Sequence, residues 1–144
     1  MNPRDESGST LPLTMFFGSL CLLLVLLVVA ATSLYVERKR LFTAADAAAL
    51  AGAEAFELSD LQPAPDGSLR PRLASQNVTA AVVSYLRDDV KHDFESLRIT
   101  EASTRDGTSA TVTLTARWKP PVLALLVPDG MPLSATSTSR AVFQ

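Results

Sequence analysis

The chain opens on an unbroken apolar block and closes on alternation. Residues 11–31 read LPLTMFFGSLCLLLVLLVVAA, and Thr32, Ser33, Leu34, Tyr35 and Val36 continue the block; residues 7–36 carry no charge. Twenty-one residues at helical rise cover about 31 Å, close to the roughly 30 Å of a bilayer's hydrocarbon core. Inside lipid every backbone N–H and C=O must be paired within the segment, so the block predicts a membrane-spanning helix over residues 11–36. Pro12 falls in its first turn, where a missing N–H costs little. Tyr35 falls at the far interface, where a ring with a polar tip is favoured. The rival reading is a cleaved signal peptide with Val29, Ala30 and Ala31 as the cleavage site. The block is longer than the usual 7–15 apolar residues of a signal, and Arg4 is offset by Asp5 and Glu6.

No helix breaker follows. Residues 37–58 read ERKRLFTAADAAALAGAEAFEL, without proline, and nine of the thirteen residues 44–56 are Ala or Gly. Alanine is the strongest helix former, so the span is expected to continue as a rod to about Leu58. Leu34, Leu41, Ala48 and Ala55 recur every seven residues, and Phe42, Ala49 and Phe56 form the adjacent row. Ala45, Ala49 and Ala53, and likewise Ala48 and Gly52, place small residues four apart, which lets another backbone approach closely. That face packs either on the chain's own sheet or on the rods of other subunits. The second reading makes Leu41, Ala45, Ala48, Ala49 and Gly52 the candidate subunit-contact residues. Arg38, Lys39 and Arg40, with Tyr35, are the candidate membrane-interface residues. Each basic side chain near an anionic surface contributes about 1 kcal/mol.

Residues 59–73, SDLQPAPDGSLRPRL, hold three prolines and a glycine and read as a loop. Residues 74–91 predict a second helix, with Val78, Ala81, Val82, Tyr85, Leu86 and Val90 on one face. From Phe94 the period changes to two. Leu97 and Ile99 alternate with Arg98 and Thr100, and Asp106-Gly107 marks a turn. Ala110, Val112, Leu114, Ala116 and Trp118 then alternate with Thr111, Thr113, Thr115 and Arg117, which predicts a half-buried strand and a hairpin. Residues 133–143 predict a third strand with Ala135, Ala141 and Phe143 on one side. The six apolar residues 122–127, bracketed by Pro121 and Pro128, predict a covered crossover or a patch for a neighbour or the membrane surface.

Composition narrows the chemistry. Thirteen basic against fifteen acidic residues give a net charge of −2, without the basic excess of a nucleic-acid binder. One cysteine, Cys21, forms no internal disulfide and reads as an apolar filler. The one histidine, His92, has no evident orienting partner, and no phosphate loop, HExxH, CxxC or GxSxG motif occurs. Asp88, Asp89 and Asp93 lack the glycine and glutamate of a calcium loop. No catalytic, cofactor-binding or metal-ligating residue is expected, and the protein is not expected to be an enzyme.

Residues 4–13 before a single span, and then Tyr35-Val36-Glu37-Arg38-Lys39-Arg40-Leu41-Phe42-Thr43 followed by Ala44-Ala45-Asp46-Ala47-Ala48-Ala49-Leu50-Ala51, resemble the start of TadE/TadG-like proteins of the tight-adherence (Flp-type) pilus systems, in a short, actinobacterial-type form. The resemblance covers about residues 4–58, and the closing SATSTSRAVF resembles the last strand of such proteins. It implies a cytoplasmic N-terminus, an extracytoplasmic C-terminal domain, and pilins or other pilus-assembly membrane proteins as partners besides the lipid bilayer. The charge count points the other way. Residues 37–40 sum to +2 and the first ten to −1, which by the positive-inside rule keeps the C-terminal domain in the cytoplasm. The resemblance is given precedence here. Gly8 is followed five residues later by Leu13 and not by the Glu of TadE-type pseudopilins, so the chain resembles the TadG side, which keeps its N-terminal segment.

The expected architecture is α+β and pilin-like: a tail (1–10), a transmembrane helix (11–36), a helical rod (37–58), a linker (59–73) and a small extracytoplasmic domain (74–144) with a second helix and a three-stranded antiparallel sheet. The expected function is that of a non-enzymatic, single-pass component of a pilus-assembly or secretion apparatus in the cell membrane. The alternative is a membrane-anchored binding or sensory domain unrelated to pili.

Overall fold

The computed structural model describes residues 10–56, 61–67, 69–90, 94–120 and 128–141. A single helix, α1, runs from Thr10 to Ala53, 44 residues without a break, or about 66 Å. It ends at Ala53, short of the expected Leu58, which lies outside the described residues. The first half of α1 is apolar all round and uncovered by protein, from Leu11 to Val29. The second half is one-sided: Leu41, Ala44, Ala45, Ala48, Ala49, Gly52 and Ala53 are buried.

The expected loop holds a small ribbon. Strands β1 (Leu61–Pro63) and β2 (Leu69–Pro71) pair antiparallel. The Gly67 amide donates to the Ala64 carbonyl at 2.9 Å. Pro65-Asp66-Gly67 thus supplies a tight turn where proline density alone reads as irregular. Helix α2 (Ser75–Tyr85) passes directly into a π-helical turn, Leu86–Val90. Val78, Val82, Leu86 and Val90 are all buried. Their four-residue spacing overshoots a 3.6-residue turn, and at about 100° per residue Val90 would sit about 120° away from Val78. The wider π turn takes up that drift and keeps Val90 on the core side.

Three strands follow: β3 (Arg98–Ser103), β4 (Ser109–Trp118) and β5 (Met131–Arg140), antiparallel in that order, with β4 central. The alternation in β4 is complete. Ala110, Val112, Leu114, Ala116 and Trp118 are buried, and the intervening residues face outward. On the outer face threonine hydroxyls pair across strands, Thr111 with Thr138 at 3.1 Å, Thr113 with Thr136 at 2.9 Å and Thr100 with Thr115 at 3.3 Å. A bulge in β3 between Ile99 and Glu101 keeps Ile99 and Ala102, three residues apart, opposite Leu114 and Val112. Ile99 nevertheless stays exposed at the sheet edge, unlike the expectation from its alternation. β5 begins two residues before the expected Leu133; Ala135 is buried, Ala141 is half-buried, and Phe143 lies outside the described residues. The apolar residues 122–127 also lie outside them.

The inner face of the sheet is closed by α1 across β4 and β5 and by α2 beside β3, giving two layers around one core. α1 runs antiparallel to β4. Near one end Trp118 Nε1 donates to Ser33 Oγ at 3.2 Å. Near the other end a side chain at Gly52 would meet the Ala110 Cβ at 3.2 Å. The two spans agree: residues 33–52 of helix rise about 28 Å, and residues 110–118 of strand rise about 27 Å. The sheet's Trp118 end is therefore the end beside the apolar segment. Gly130, at φ 66, turns the chain into β5, and a Cβ there would lie 2.7 Å from the Trp118 carbonyl oxygen. Only glycine fits that approach.

Candidate functional site

The five small and apolar residues weighed as subunit contacts lie inside the molecule. Leu41, Ala45, Ala48 and Ala49 have no exposed surface, and Gly52 is buried with them. They pack into the same core as Val78, Val82, Val112 and Leu114. In this arrangement the small-residue face of the rod is occupied by the chain's own sheet and α2. A Cβ on Gly52 would meet Val78 Cγ1 at 3.1 Å and Val82 Cγ2 at 3.3 Å, so the close approach that four-spaced small residues allow is used within the chain.

The opposite face of α1 is open. Tyr35 is 67% exposed, Phe42 39% and Leu50 51%, and Asp46 is exposed between the last two. At 3.6 residues per turn these four fall on one stripe of the helix. Three large side chains, two of them wholly apolar, thus lie on the solvent side of a helix whose other side is packed. Periodicity alone did not separate this stripe from the buried one, because Phe42 and Ala49 share a seven-residue row while only Ala49 is buried.

Of the candidate interface residues, Tyr35 lies at the end of the apolar segment and Arg38, Lys39 and Arg40 follow it; all four are exposed. They do not act alike. Tyr35, Arg38, Lys39 and Phe42 surround a shallow depression on the open side. Lys39 and Arg40 also line a cleft of about 610 Å³ between α1 and the π turn, with Val36, Ala47, Tyr85, Asp89, Val90 and Phe94 among its walls. Among the described residues neither Lys39 nor Arg40 has an ion-pair partner.

Trp118, which the alternation marks only as the end of a strand, also ties the sheet to α1. It is nearly buried, and its indole N–H reaches back to Ser33, four residues before the first charge after the apolar segment. Trp at that height fits a membrane–water boundary, where an apolar ring with one donor is favoured. The signal available in the sequence was the rarity of the residue, one Trp in 144, at the end of the strand that leads into an apolar run.

At the opposite end of the sheet the β3–β4 turn is fixed by Asp106. Its carboxylate accepts the amides of Thr108 at 2.9 Å and Ser109 at 2.7 Å and the Ser109 hydroxyl at 2.9 Å. These donors hold its pKa well below the usual carboxylate range. The bonds are those of a turn, and they account for the shift without any catalytic role. Asp88 and Asp89 are exposed, and His92 and Asp93 lie outside the described residues. Among the described residues no three His, Cys, Asp or Glu side chains gather to hold a metal ion.

Among the described residues one helix, α1, is long and apolar enough to cross a membrane. No curated protein matches the chain, and neither does any solved structure. A family profile, described as putative Flp pilus-assembly TadE/G-like, does match over residues 8–55, which is about a third of the chain and contains the whole of α1. That family is membrane-associated and serves pilus assembly. Residues 8–55 are thus similar to the putative Flp pilus-assembly TadE/G-like family.

Proposed function

We propose that the protein is a non-enzymatic, single-pass membrane component of a Tad/Flp-type pilus-assembly apparatus, with its C-terminal domain outside the membrane, and that it works through helix–helix contacts with other subunits. The observation that carries this reading is the continuity of α1. One helix begins in a segment apolar on every side and ends as a wall of the domain core. An apolar surface on all sides of a helix is stable only in an apolar solvent. A rigid link of that kind places the domain at a fixed height and angle on the bilayer, and the Trp118–Ser33 hydrogen bond reinforces it.

The buried Ala-rich row supports the domain, so the contact with other subunits is assigned to the open stripe of Tyr35, Phe42, Asp46 and Leu50. Arg38, Lys39 and Arg40 bind the headgroup layer at its foot. The test is a pair of substitutions on the open stripe, Phe42→Ser with Leu50→Ser. The variant is expected to insert and fold as the parent does and to lose co-purification with the other pilus-assembly proteins, along with piliation. Undiminished co-purification and piliation would remove the stripe from the account. For the placement of the domain, protease added outside intact spheroplasts is expected to digest residues 60–144; protection of that region in spheroplasts and digestion only after lysis would place it in the cytoplasm, as the charge count favours.

A further inference from the structure

The cleft between α1 and the π turn has walls of two kinds. Val36, Ala44, Ala47, Val90 and Phe94 make an apolar lining, and Lys39, Arg40 and Asp89 bring charge of both signs to it. It lies immediately beyond the apolar segment, since Val36 is the last residue of the uncharged run. The π turn is what brings Val90 to the core side and Asp89 beside it to the cleft, and such turns recur at functional sites. Two cations without ion-pair partners among the described residues, one carboxylate and an apolar lining make a poor site for a soluble anion. They are the complement of a phospholipid with an amine in its headgroup.

We infer that this cleft holds one aminophospholipid of the surrounding leaflet. Lys39 and Arg40 donate to the phosphodiester, Asp89 accepts from the headgroup ammonium, and an acyl chain lies along Val36, Ala47 and Phe94. Both charges of the headgroup then find a partner, which a phosphatidylglycerol or a phosphatidylcholine headgroup does not provide: the first has no cation, and the second has no N–H to donate. This rests on the reading of residues 11–36 as a bilayer span.

The test uses the full chain in nanodiscs made from equal parts of phosphatidylethanolamine, phosphatidylglycerol and phosphatidylcholine, with retained lipid counted by native mass spectrometry. One phosphatidylethanolamine is expected to be retained in preference to either other lipid by roughly tenfold, the scale of a charge-assisted hydrogen bond. Asp89→Asn is expected to abolish that preference, and Lys39→Gln with Arg40→Gln to reduce retention of all three lipids. Arg38→Gln, whose side chain does not line the cleft, is expected to leave the preference for phosphatidylethanolamine unchanged and to reduce retention less than the Lys39 and Arg40 changes do. All four positions are exposed, so these variants leave the core untouched. Equal retention of the three lipids, an effect of Arg38→Gln as large as that of the Lys39 and Arg40 changes, or displacement of the lipid by inorganic phosphate would overturn the site. A chain that never enters the nanodisc would overturn the span and the lipid site together, whereas entry with indiscriminate retention would overturn the lipid site alone.

Discussion

Gly52 is a position where the rod packs closely against its own domain, and replacing it with alanine decides between two opposed effects. Alanine in place of glycine within a helix is worth about 1 kcal/mol in favour of the substitution. The new methyl would meet Val78 Cγ1 at 3.1 Å, Ala110 Cβ at 3.2 Å and Val82 Cγ2 at 3.3 Å, all inside ordinary van der Waals contact. None of the three can retreat cheaply. Val78 and Val82 are fully buried and stiff at χ1, and Ala110 is fully buried on the central strand, paired with Ser139 of β5. Overpacking of this kind costs about 1–3 kcal/mol, so a net loss of about 1 kcal/mol is expected. For a domain of this size that lowers the melting temperature by about 5 °C. The assay is a thermal scan of the full chain in nanodiscs followed by the emission of Trp118, the one tryptophan of the chain, which is 6% exposed on the inner face. Gly52→Val, with two further carbons, is expected to lose several times as much. A melting temperature that stays level or rises in Gly52→Ala would mean that helix propensity wins and that the rod does not press on α2 and β4 as described.

Three further outcomes are expected. Ser33→Ala removes the acceptor of the Trp118 indole N–H; a loss of about 1 kcal/mol and a shift in Trp118 emission are expected, and an unchanged spectrum would show that the sheet does not reach the spanning segment. The Asp106 carboxylate is better hydrogen-bonded in the folded chain than in the unfolded one, so its folded pKa is depressed and its contribution is complete above the unfolded value of about 4 and lost as pH falls below it. The difference in melting temperature between the parent and Asp106→Asn is therefore expected to shrink from pH 5 downward; a difference that is constant or grows on acidification would contradict the turn as drawn. Ala48→Leu is expected to lower the stability of the domain itself, which the Phe42→Ser, Leu50→Ser pair leaves intact; the reverse pattern would exchange the assignments of the two faces.

The parts of the fold that were legible in the sequence are those where one physical rule dominates. The apolar block needs lipid, and a run of alanines without proline does not stop being helical, so α1 follows from local chemistry alone. The period-two alternation of residues 110–118 fixes β4 because its two faces meet different solvents. Where two rules compete, the sequence was less informative. The ribbon at residues 61–71 was hidden by its prolines, whose turn-forming role outweighs their cost in such short, two-stranded pairing. The π turn was hidden because a four-residue spacing resembles a helix until the accumulated drift is counted. The faces of the rod were ambiguous for a different reason: small residues permit close approach by any backbone, and only the tertiary arrangement shows that α2 and β4 are the ones that approach. For the same reason the cleft was not visible, since it joins Lys39 and Arg40 to Asp89 across fifty residues of chain that no local pattern relates.

The most direct measurement is a spin-label scan along α1, one site at a time from residue 12 to residue 53 in a Cys21→Ser background, with the chain in a bilayer and accessibility read separately for oxygen and for a water-soluble paramagnet. The account predicts contact with oxygen on every side through the apolar block, a single crossover to water near residues 34–38, and then a helical rhythm in which labels at 42, 46 and 50 meet the aqueous reagent while labels at 41, 45 and 49 meet neither. Aqueous contact in the middle of the apolar block, or the absence of any rhythm beyond residue 40, would contradict it.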